Sequence, residues 1–323
     1  MTKSPAASDL KPLVVAARYE IADGIVSFDL RARDGAALAQ FTAGAHVSVQ
    51  APNGSVRKYS LSNDPAEVDR YVIAVKREAA GRGGSLSMVD EVKEDDEVRV
   101  GPPRNDFPLE PKAREFLFIA GGIGITPILS MMRHLQTTDT GKFQLIYLTR
   151  SPAVTAFRAE LAAPEFRGRV QLHHDGGDAR QALDLWPYLE HPKGRHIYCC
   201  GPAPLMAEVR DMTGHWSKTN VHFESFAEGT AAAGAVNLPF KLRLARAAAV
   251  LDVGAGETIL EALRRNGFDA PSSCESGSCG TCRTKLLAGE AEHRDFVLDA
   301  AERRREIMLC VSRAKTAELT VDL

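Results

Sequence analysis

Residues 115–132 read EFLFIAGGIGITPILSMM, and the change of pattern within them decides the fold of the middle of the chain. An apolar, strand-like run leads into a glycine-rich turn at residues 120–127, and a helical pattern follows. This order begins a βαβ unit, which specifies a parallel sheet covered by helices. The free N–H groups of a helix that starts at such a turn favour a phosphate, although the glycines can also serve only tight packing.

The strand-to-helix alternation continues downstream and produces a second turn of the same kind. FQLIYLTR, VQLHHD and RHIYCCG each read as a strand, and PLMAEVRDMTG reads as the helix after the last of them. The second turn is therefore Cys200-Gly201-Pro202, whereas Cys199 reads as a small buried packing group. Both turns are expected at the carboxyl edge of one parallel sheet, where they would border a crevice for a dinucleotide.

Upstream of residue 111 the pattern is different, with short β-type runs separated by turn signals. Closely spaced runs at 26–30, 46–50, 57–62, 71–77 and 97–101 predict an antiparallel barrel or sandwich. RKYSLS alternates polar and apolar residues, so that Arg57 offers a charge for a phosphate and Tyr59 a flat ring for an aromatic cofactor. GRGGS at 81–85 precedes a helix that offers a second phosphate site. A solvated strand and an ordinary loop are the alternative.

The carboxyl-terminal part carries four of the six cysteines. Cys274, Cys279 and Cys282 form a C-x4-C-x2-C run, and Cys310 follows far downstream, which is the ligand spacing of plant-type [2Fe-2S] clusters. The residues between them are small enough to let the backbone fold closely around a cluster. Structural zinc usually takes its cysteines as two C-x2-C pairs, so zinc or unrelated free thiols are the less favoured alternative.

Whole-chain properties exclude several classes of protein. The 323 residues are 44% hydrophobic and 25% charged, in the range of a soluble protein with two or three domains. A formal net charge of −2 favours neither nucleic acid nor an anionic membrane. We find no secretory signal and no apolar run of 18 residues, and therefore expect a cytoplasmic protein with no membrane or nucleic-acid partner.

Eight motifs in order make the chain resemble one family. RKYSLSN, GRGGS, AGGIGITPILSM, YCCGPAPLM, DMTGHW, HFESF, PSSCESGSCGTC and IMLCVS closely resemble phthalate dioxygenase reductase and the related reductases of Rieske-type aromatic oxygenases. The resemblance implies an antiparallel flavin-binding β-barrel, an α/β parallel-sheet nucleotide domain and an α+β plant-type ferredoxin of the β-grasp type. The corresponding bounds are 1–110 for the FMN domain, 111–227 for the NADH domain, 228–237 for a linker and 238–323 for the [2Fe-2S] domain.

The resemblance also implies site residues. Thr126, Cys200 and Phe226 are expected to be catalytic, with Phe226 covering the flavin face unless it is a plain core aromatic. The nicotinamide is expected beside Cys200, Gly201 and Pro202, and the nucleotide along Gly121, Gly122 and Gly124. The iron ligands are Cys274, Cys279, Cys282 and Cys310. The remaining FMN contacts are Arg57, Tyr59, Ser60, Val75, Lys76, Gly81, Gly83, Gly84 and Ser85.

The expected activity follows from the order of cofactors. NADH gives up two electrons together and a [2Fe-2S] cluster accepts one at a time, so FMN is needed between them. We predict a monomeric NADH-dependent reductase that delivers single electrons to a terminal Rieske-type oxygenase or demethylase. Arg150-Ser151 after the second strand leaves NADPH open. The competing hypotheses are a redox-sensing iron–sulfur flavoprotein without steady turnover and a free flavin reductase.

Overall fold

The computed structural model describes residues 9–79, 83–226 and 237–323. The chain divides into two compact units, one that runs to Phe223 and one that spans Glu224–Leu323. The first unit contains two sheets, and the boundary predicted at residue 110 falls between them. The second unit contains the four-cysteine run. In the described ranges no helix is both long and apolar enough to cross a bilayer.

The first sheet is an antiparallel barrel, as the sequence predicted. Its strands are β1 (Lys11–Ala22), β2 (Ile25–Arg31), β3 (His46–Gln50), β4 (Val56–Ser60), β5 (Tyr71–Lys76) and β6 (Glu97–Val100). They lie in the order β4-β3-β6-β1-β2-β5, and a bridge between Leu61 and Ile73 joins β4 back to β5 and closes the sheet. Val15, Phe28, Leu30 and Val47 fill the interior. Helix α1 (Gly84–Glu91) follows β5.

Strand β1 was not predicted, because its side chains do not alternate regularly. The register with β2 shifts between Val15 and Ala17 and again between Glu20 and Ala22. Each such bulge places two residues of one strand against one of its partner, which breaks the period of two. A twelve-residue strand therefore carries no clean strand signature in KPLVVAARYEIA.

The second sheet is parallel where its pairing is described. Its strands are β7 (Glu115–Gly121), β8 (Lys142–Thr149), β9 (Val170–His174), β10 (His196–Cys200) and β11 (Val221–Glu224). They lie in the order β11-β10-β7-β8-β9, and β10, β7, β8 and β9 run parallel. The chain leaves β7 toward β8 on one side and returns to β10 on the other. The strand order therefore reverses between β7 and β10, the position where α/β sheets bind ligands.

The helices of this region cover the sheet and place the first turn. A short 3-10 turn, Gly122–Gly124, leads into α2 (Ile125–Thr138). The buried apolar face of this helix includes Ile125, Ile128, Leu129 and Met132. The helix that follows β8, Arg158–Leu161, is only one turn long, because Phe157 before it adopts a left-handed conformation with φ of 58°. The helices are α2 (Ile125–Thr138), α3 (Arg158–Leu161), α4 (Trp186–Leu189) and α5 (Ala203–Met212).

The second unit is the α+β fold predicted for a plant-type ferredoxin. Its strands are β12 (Phe240–Leu244), β13 (Ala249–Val253), β14 (Arg283–Ala288), β15 (Ala291–Glu292), β16 (Glu306–Met308), β17 (Arg313–Ala314) and β18 (Glu318–Val321). The main sheet has the order β13-β12-β18-β14-β16, with β12 and β18 parallel. Helix α6 (Ile259–Arg265) begins at a capping box of Thr258 and Glu261, and Gly267 follows its end at φ of 79°. A capping box and a glycine in the left-handed region are common signals for the two ends of a helix.

Candidate functional site

Strand β4 presents two of the predicted flavin residues on one side. Arg57 and Tyr59 are two residues apart and so point to the same face. The Tyr59 hydroxyl is buried and has no hydrogen-bond partner among the described residues. Burial raises the pKa of this phenol to about 12, against the opposing effect of the Arg57 charge. A buried hydroxyl without a hydrogen-bond partner destabilises the folded protein. This face of β4 therefore fits a ligand with a polar atom that can hydrogen bond to the hydroxyl.

Arg57 also lies against the start of α1. A Cβ added to Gly84 would lie 3.0 Å from Cγ and 3.1 Å from Nε of Arg57, and 2.7 Å from the Ser55 hydroxyl. Gly83, before the helix, has φ of 81° and provides no side-chain cap. A guanidinium and the uncapped N–H groups of a helix therefore converge where only glycine leaves room, which fits a phosphate. Sequence reasoning missed Ser55, which followed an ordinary turn signal.

The other predicted flavin residues have varied surroundings. The Ser85 hydroxyl accepts a hydrogen bond from the Glu78 N–H at 3.2 Å and so ties α1 to the residue two positions beyond β5. Lys76 pairs with Glu78, with 3.3 Å between the ammonium and the carboxylate oxygen. Ser60 and Val75 are buried in the barrel. Gly81 lies outside the described residues.

The two glycine turns meet at the reversal point of the parallel sheet. Cys200 at the end of β10 is in register with Ala120 near the end of β7. A Cβ on Gly124 would lie 2.2 Å from the Cys200 carbonyl oxygen, and one on Gly201 would lie 2.9 Å from the Gly121 Cα. The turns therefore pack backbone against backbone, which is the tight-packing role that the sequence left open for these glycines.

One glycine of the first turn is not explained by packing. Gly122 has φ of 54°, and a Cβ there would meet no atom within 4 Å in the ranges that the structure describes. Its backbone faces open space beside the start of α2, which suits close approach of a ligand. Tight packing and an open glycine face thus coexist in one turn.

Thr126 and Cys200 are buried, and Cys200 sits directly at this junction. The Thr126 hydroxyl donates to the Ile123 carbonyl at 3.1 Å and steadies the first turn of α2. Pro202 caps the start of α5, and Cys199 is fully buried with its thiol pKa raised by burial, in agreement with its packing role. Phe226 lies in the second unit with 42% of its surface exposed, and its flavin contact stays a prediction.

The four cysteines of the second unit come together as two pairs. The outer pair, Cys274 and Cys279, is half-buried, and the Cys279 N–H donates to the Cys274 sulfur at 3.4 Å. The inner pair, Cys282 and Cys310, is buried, and the N–H of Leu309, the residue before Cys310, donates to the Cys282 carbonyl at 3.3 Å. Among the described residues, no three or more His, Cys, Asp and Glu side chains are close enough to hold a single metal ion.

This donor set fits a two-iron cluster. Each iron of a [2Fe-2S] cluster takes two protein ligands, and the chain offers two pairs of thiols. Hydrogen bonds to its sulfur from the Cys279 thiol and the Ser276 N–H lower the pKa of Cys274, and Cys310 lowers the pKa of Cys282. Gly277 has φ of 78°, and a Cβ there would lie 2.8 Å from the Val311 side chain. The loop thus needs glycine to close around its sulfurs, as predicted.

Comparison with known families agrees with both halves of this description. Residues 118–211 match the oxidoreductase NAD-binding domain. Residues 243–315 match the 2Fe-2S iron-sulfur cluster binding domain. The first range contains both glycine turns, and the second contains all four cysteines of the two pairs.

Whole proteins match over nearly the full length. The chain is 54% identical over 312 residues to the phthalate 4,5-dioxygenase oxygenase reductase subunit of Pseudomonas putida, covering 96% of each protein. It is 52% identical over 312 residues to phthalate dioxygenase reductase of Burkholderia cepacia, covering 96% of this chain and 97% of that one. A solved structure of phthalate dioxygenase reductase superposes with a TM-score of 0.76 at 51% identity and 98% coverage of each chain.

The barrel, the parallel nucleotide sheet and the four-thiol unit together define an iron–sulfur flavoprotein reductase that uses a nicotinamide nucleotide. The comparisons confirm the cofactors predicted from the sequence, namely FMN, NADH and a [2Fe-2S] cluster. With these identities over these lengths, the chain belongs to the phthalate dioxygenase reductase family.

Proposed function

We propose that this chain is the reductase component of an oxygenase system, delivering electrons from NADH one at a time to a terminal Rieske-type aromatic-ring oxygenase or demethylase. The observation that carries this proposal is that one chain joins an open glycine turn at a sheet reversal point to two pairs of thiols. When bound, FMN accepts electrons in twos and releases them singly, and the cluster accepts them singly. The matched relatives named as reductase subunits support the assignment of an oxygenase partner.

Strand β4 and the start of α1 would hold FMN. Arg57 and the first N–H groups of α1 would bind its phosphate, because the Arg57 side chain packs against Gly84 at the start of that helix. Tyr59 would hydrogen bond to the cofactor through its unpaired hydroxyl. The remaining residues proposed for this site are Ser60, Val75, Lys76, Gly81, Gly83, Ser85, Thr126 and Phe226.

The two glycine turns would hold NADH. Gly122 would admit the nucleotide to the helix start, while Gly121, Gly124 and Gly201 keep the turns in contact. Cys200 and Pro202 would lie beside the nicotinamide, and Thr126, Cys200 and Phe226 are the proposed catalytic residues. NADH is the donor, in agreement with the family match, and Arg150 and Ser151 are the residues at which the sequence alone left NADPH open.

The outer pair would bind one iron and the inner pair the other. The ligands are thus Cys274 with Cys279, and Cys282 with Cys310. We further propose a cytoplasmic monomer with domains at 1–110, 111–227 and 238–323 joined by a linker at 228–237. Most of that linker lies outside the described residues.

The test separates flavin reduction from one-electron delivery. Purified protein is assayed for FMN, iron and zinc, its absorbance is recorded anaerobically before and after NADH, and steady NADH-dependent reduction of cytochrome c is measured. In Cys310→Ala, and separately in Cys279→Ser, the flavin band should still bleach with NADH while cytochrome c reduction falls to background. Cys199→Ala is the control, since Cys199 is buried far from the paired thiols in sequence and belongs to the other unit.

Cytochrome c reduction by Cys310→Ala at the wild-type rate would contradict the proposed route. Wild-type protein that bleaches once with NADH but does not turn over would favour the redox sensor. Iron-free or zinc-containing protein that still reduces free flavin steadily would favour the free flavin reductase.

A further inference from the structure

Helix α2 is fastened along one face to the segment that follows the flavin strand β4. Ser130, Arg133 and Thr137 lie on that face and bond to three consecutive residues, Ser62, Asn63 and Asp64. The Ser130 hydroxyl donates to the Asn63 carbonyl at 2.8 Å, and Arg133 Nη1 donates to the Ser62 carbonyl at 2.5 Å. We refer to these bonds from Ser130, Arg133 and Thr137 as the α2 clamp.

Arg133 is the central and best-supported member of the clamp. Its Nε lies 3.0 Å from Glu160 Oε1, and its Nη2 lies 2.6 Å from Oε1 and 2.8 Å from Oε2. The remaining nitrogen, Nη1, is thereby aimed at the Ser62 carbonyl. Only a planar guanidinium can bind both carboxylate oxygens and a carbonyl at once, which the single ammonium of lysine cannot reproduce.

The backbone that receives the clamp is rigid. Ser62 and Asn63 are fully buried. The Ser62 N–H donates to the Val72 carbonyl at 2.8 Å, and the Val72 N–H donates to Asn63 Oδ1 at 2.9 Å. Residues 62 and 63 are therefore hydrogen bonded to β5. A displacement of the α2 clamp would move this strand of the barrel with it.

The clamp lies close to both proposed binding elements. Ser130 is six residues beyond Gly124, about 9 Å along the helix. Ser62 is three residues beyond Tyr59, about 10 Å along an extended chain. The clamp therefore fixes the distance between the glycine turn at the head of α2 and the ligand-facing side of β4.

We propose that Arg133, oriented by Glu160, is a positioning residue that sets the nicotinamide turn against the flavin strand. The proposal rests on the proposed function, in which these two elements hold NADH and FMN. Arg133 touches neither turn nor strand β4 itself in the described contacts, so its effect acts through Ser62. Loss of the planar guanidinium of Arg133 should therefore alter the rate of electron transfer at saturating NADH more than the affinity for either cofactor.

The experiment compares holoprotein variants by anaerobic stopped-flow absorbance with NADH. Arg133→Lys keeps the charge but cannot keep all three contacts, and its limiting rate of flavin reduction should fall by about ten- to a hundredfold, since an error near 1 Å in placement costs about a hundredfold. The half-saturating NADH concentration should change far less, and the long-wavelength absorbance of the NADH–flavin complex should weaken. Ser130→Ala should give a smaller fall in the same direction.

Arg31→Lys is the matched control. Arg31 also serves two carboxylates, with 3.0 Å from its Nε to Asp29 and 2.6 Å from its Nη1 to Asp69, and Asp29 keeps Arg70 as a second partner. Its limiting rate should equal that of the wild type. The proposal would be overturned if Arg133→Lys were reduced by NADH as fast as Arg31→Lys, even with a lower melting temperature. It would also be overturned if Arg133→Lys were slower only because it had lost FMN. Wild-type flavin that NADH does not reduce would instead refute the proposed function.

Discussion

Gly124→Ala would test whether the two glycine turns depend on direct backbone contact. Residue 124 has φ of −62° and ψ of −3°, a conformation that alanine adopts without strain. Because alanine restricts the unfolded chain more than glycine, conformation alone would stabilise the variant by about 0.4 to 1 kcal/mol. The obstacle is space, since the new Cβ would lie 2.2 Å from the oxygen and 2.5 Å from the carbon of the Cys200 carbonyl.

The size of the effect follows from that gap. Ordinary contact begins at 3.4 Å, so the Cys200 carbonyl must retreat by 3.4 minus 2.2, or 1.2 Å. Overpacking of this kind costs about 1 to 3 kcal/mol, and a backbone group cannot rotate aside, so the upper part of that range applies. After the stabilisation from the restricted unfolded chain is subtracted, the free energy of unfolding of the variant should fall by about 2 kcal/mol. For a unit of this size the melting temperature should fall by about 4 to 8 °C.

The same displacement should slow flavin reduction. It separates the two turns proposed to hold the nicotinamide, and an error near 1 Å in placement costs about a hundredfold in rate. The assays are calorimetric melting and the limiting stopped-flow rate with NADH. Gly214→Ala is the control, because its Cβ would come no closer than 3.6 Å to any atom. A Gly124→Ala protein that melts and reacts like Gly214→Ala would refute the packing argument.

Two further predictions concern single side chains. Tyr59→Phe removes a buried hydroxyl that has no hydrogen-bond partner in the described part of the chain, so the FMN-free protein should be no less stable. Its FMN dissociation constant, by calorimetric titration, should rise about threefold to tenfold, the worth of one net hydrogen bond, and an unchanged constant would contradict the assigned contact. Burial and, to a lesser degree, the nearby His196 lower the pKa of His222 from 6.5 to about 4. Between pH 4 and 6.5 the folded protein therefore binds fewer protons than the unfolded chain. Stability should therefore fall by about 2 to 3 kcal/mol as the pH drops from 6.5 to 4. In His222→Gln the urea midpoint should depend less on pH, and an equal dependence would contradict the cause.

The regular parts of the fold were predictable because their periodicity is local. The bounds of β3 match the predicted run at 46–50, and α6 lies between the capping box at Thr258 and the positive-φ Gly267. Strand β1 was missed because its two bulges remove the alternation. The register of such a strand depends on the strands that pair with it, and these lie elsewhere in the sequence. The local pattern of residues therefore does not reveal it.

The site was predictable to the level of residue sets but not of their arrangement. The spacing of Cys274, Cys279, Cys282 and Cys310 predicts a cluster, yet it does not say which thiols lie together. That pairing depends on where β16 delivers Cys310 relative to the loop. The α2 clamp was not predictable for the same reason, since its partners are about 70 residues apart and neither segment carries a motif that names the other.

The glycine turns show why packing and ligand binding should not be treated as exclusive explanations. Gly121, Gly124 and Gly201 let the ends of β7 and β10 approach more closely than any side chain would allow. Because β7 and β10 run parallel, that approach brings the starts of α2 and α5 to one edge of the sheet. Gly122 then leaves the edge open where a nucleotide can enter. The tight contact thus places the open face of Gly122 at the edge of the sheet where the nucleotide site is proposed.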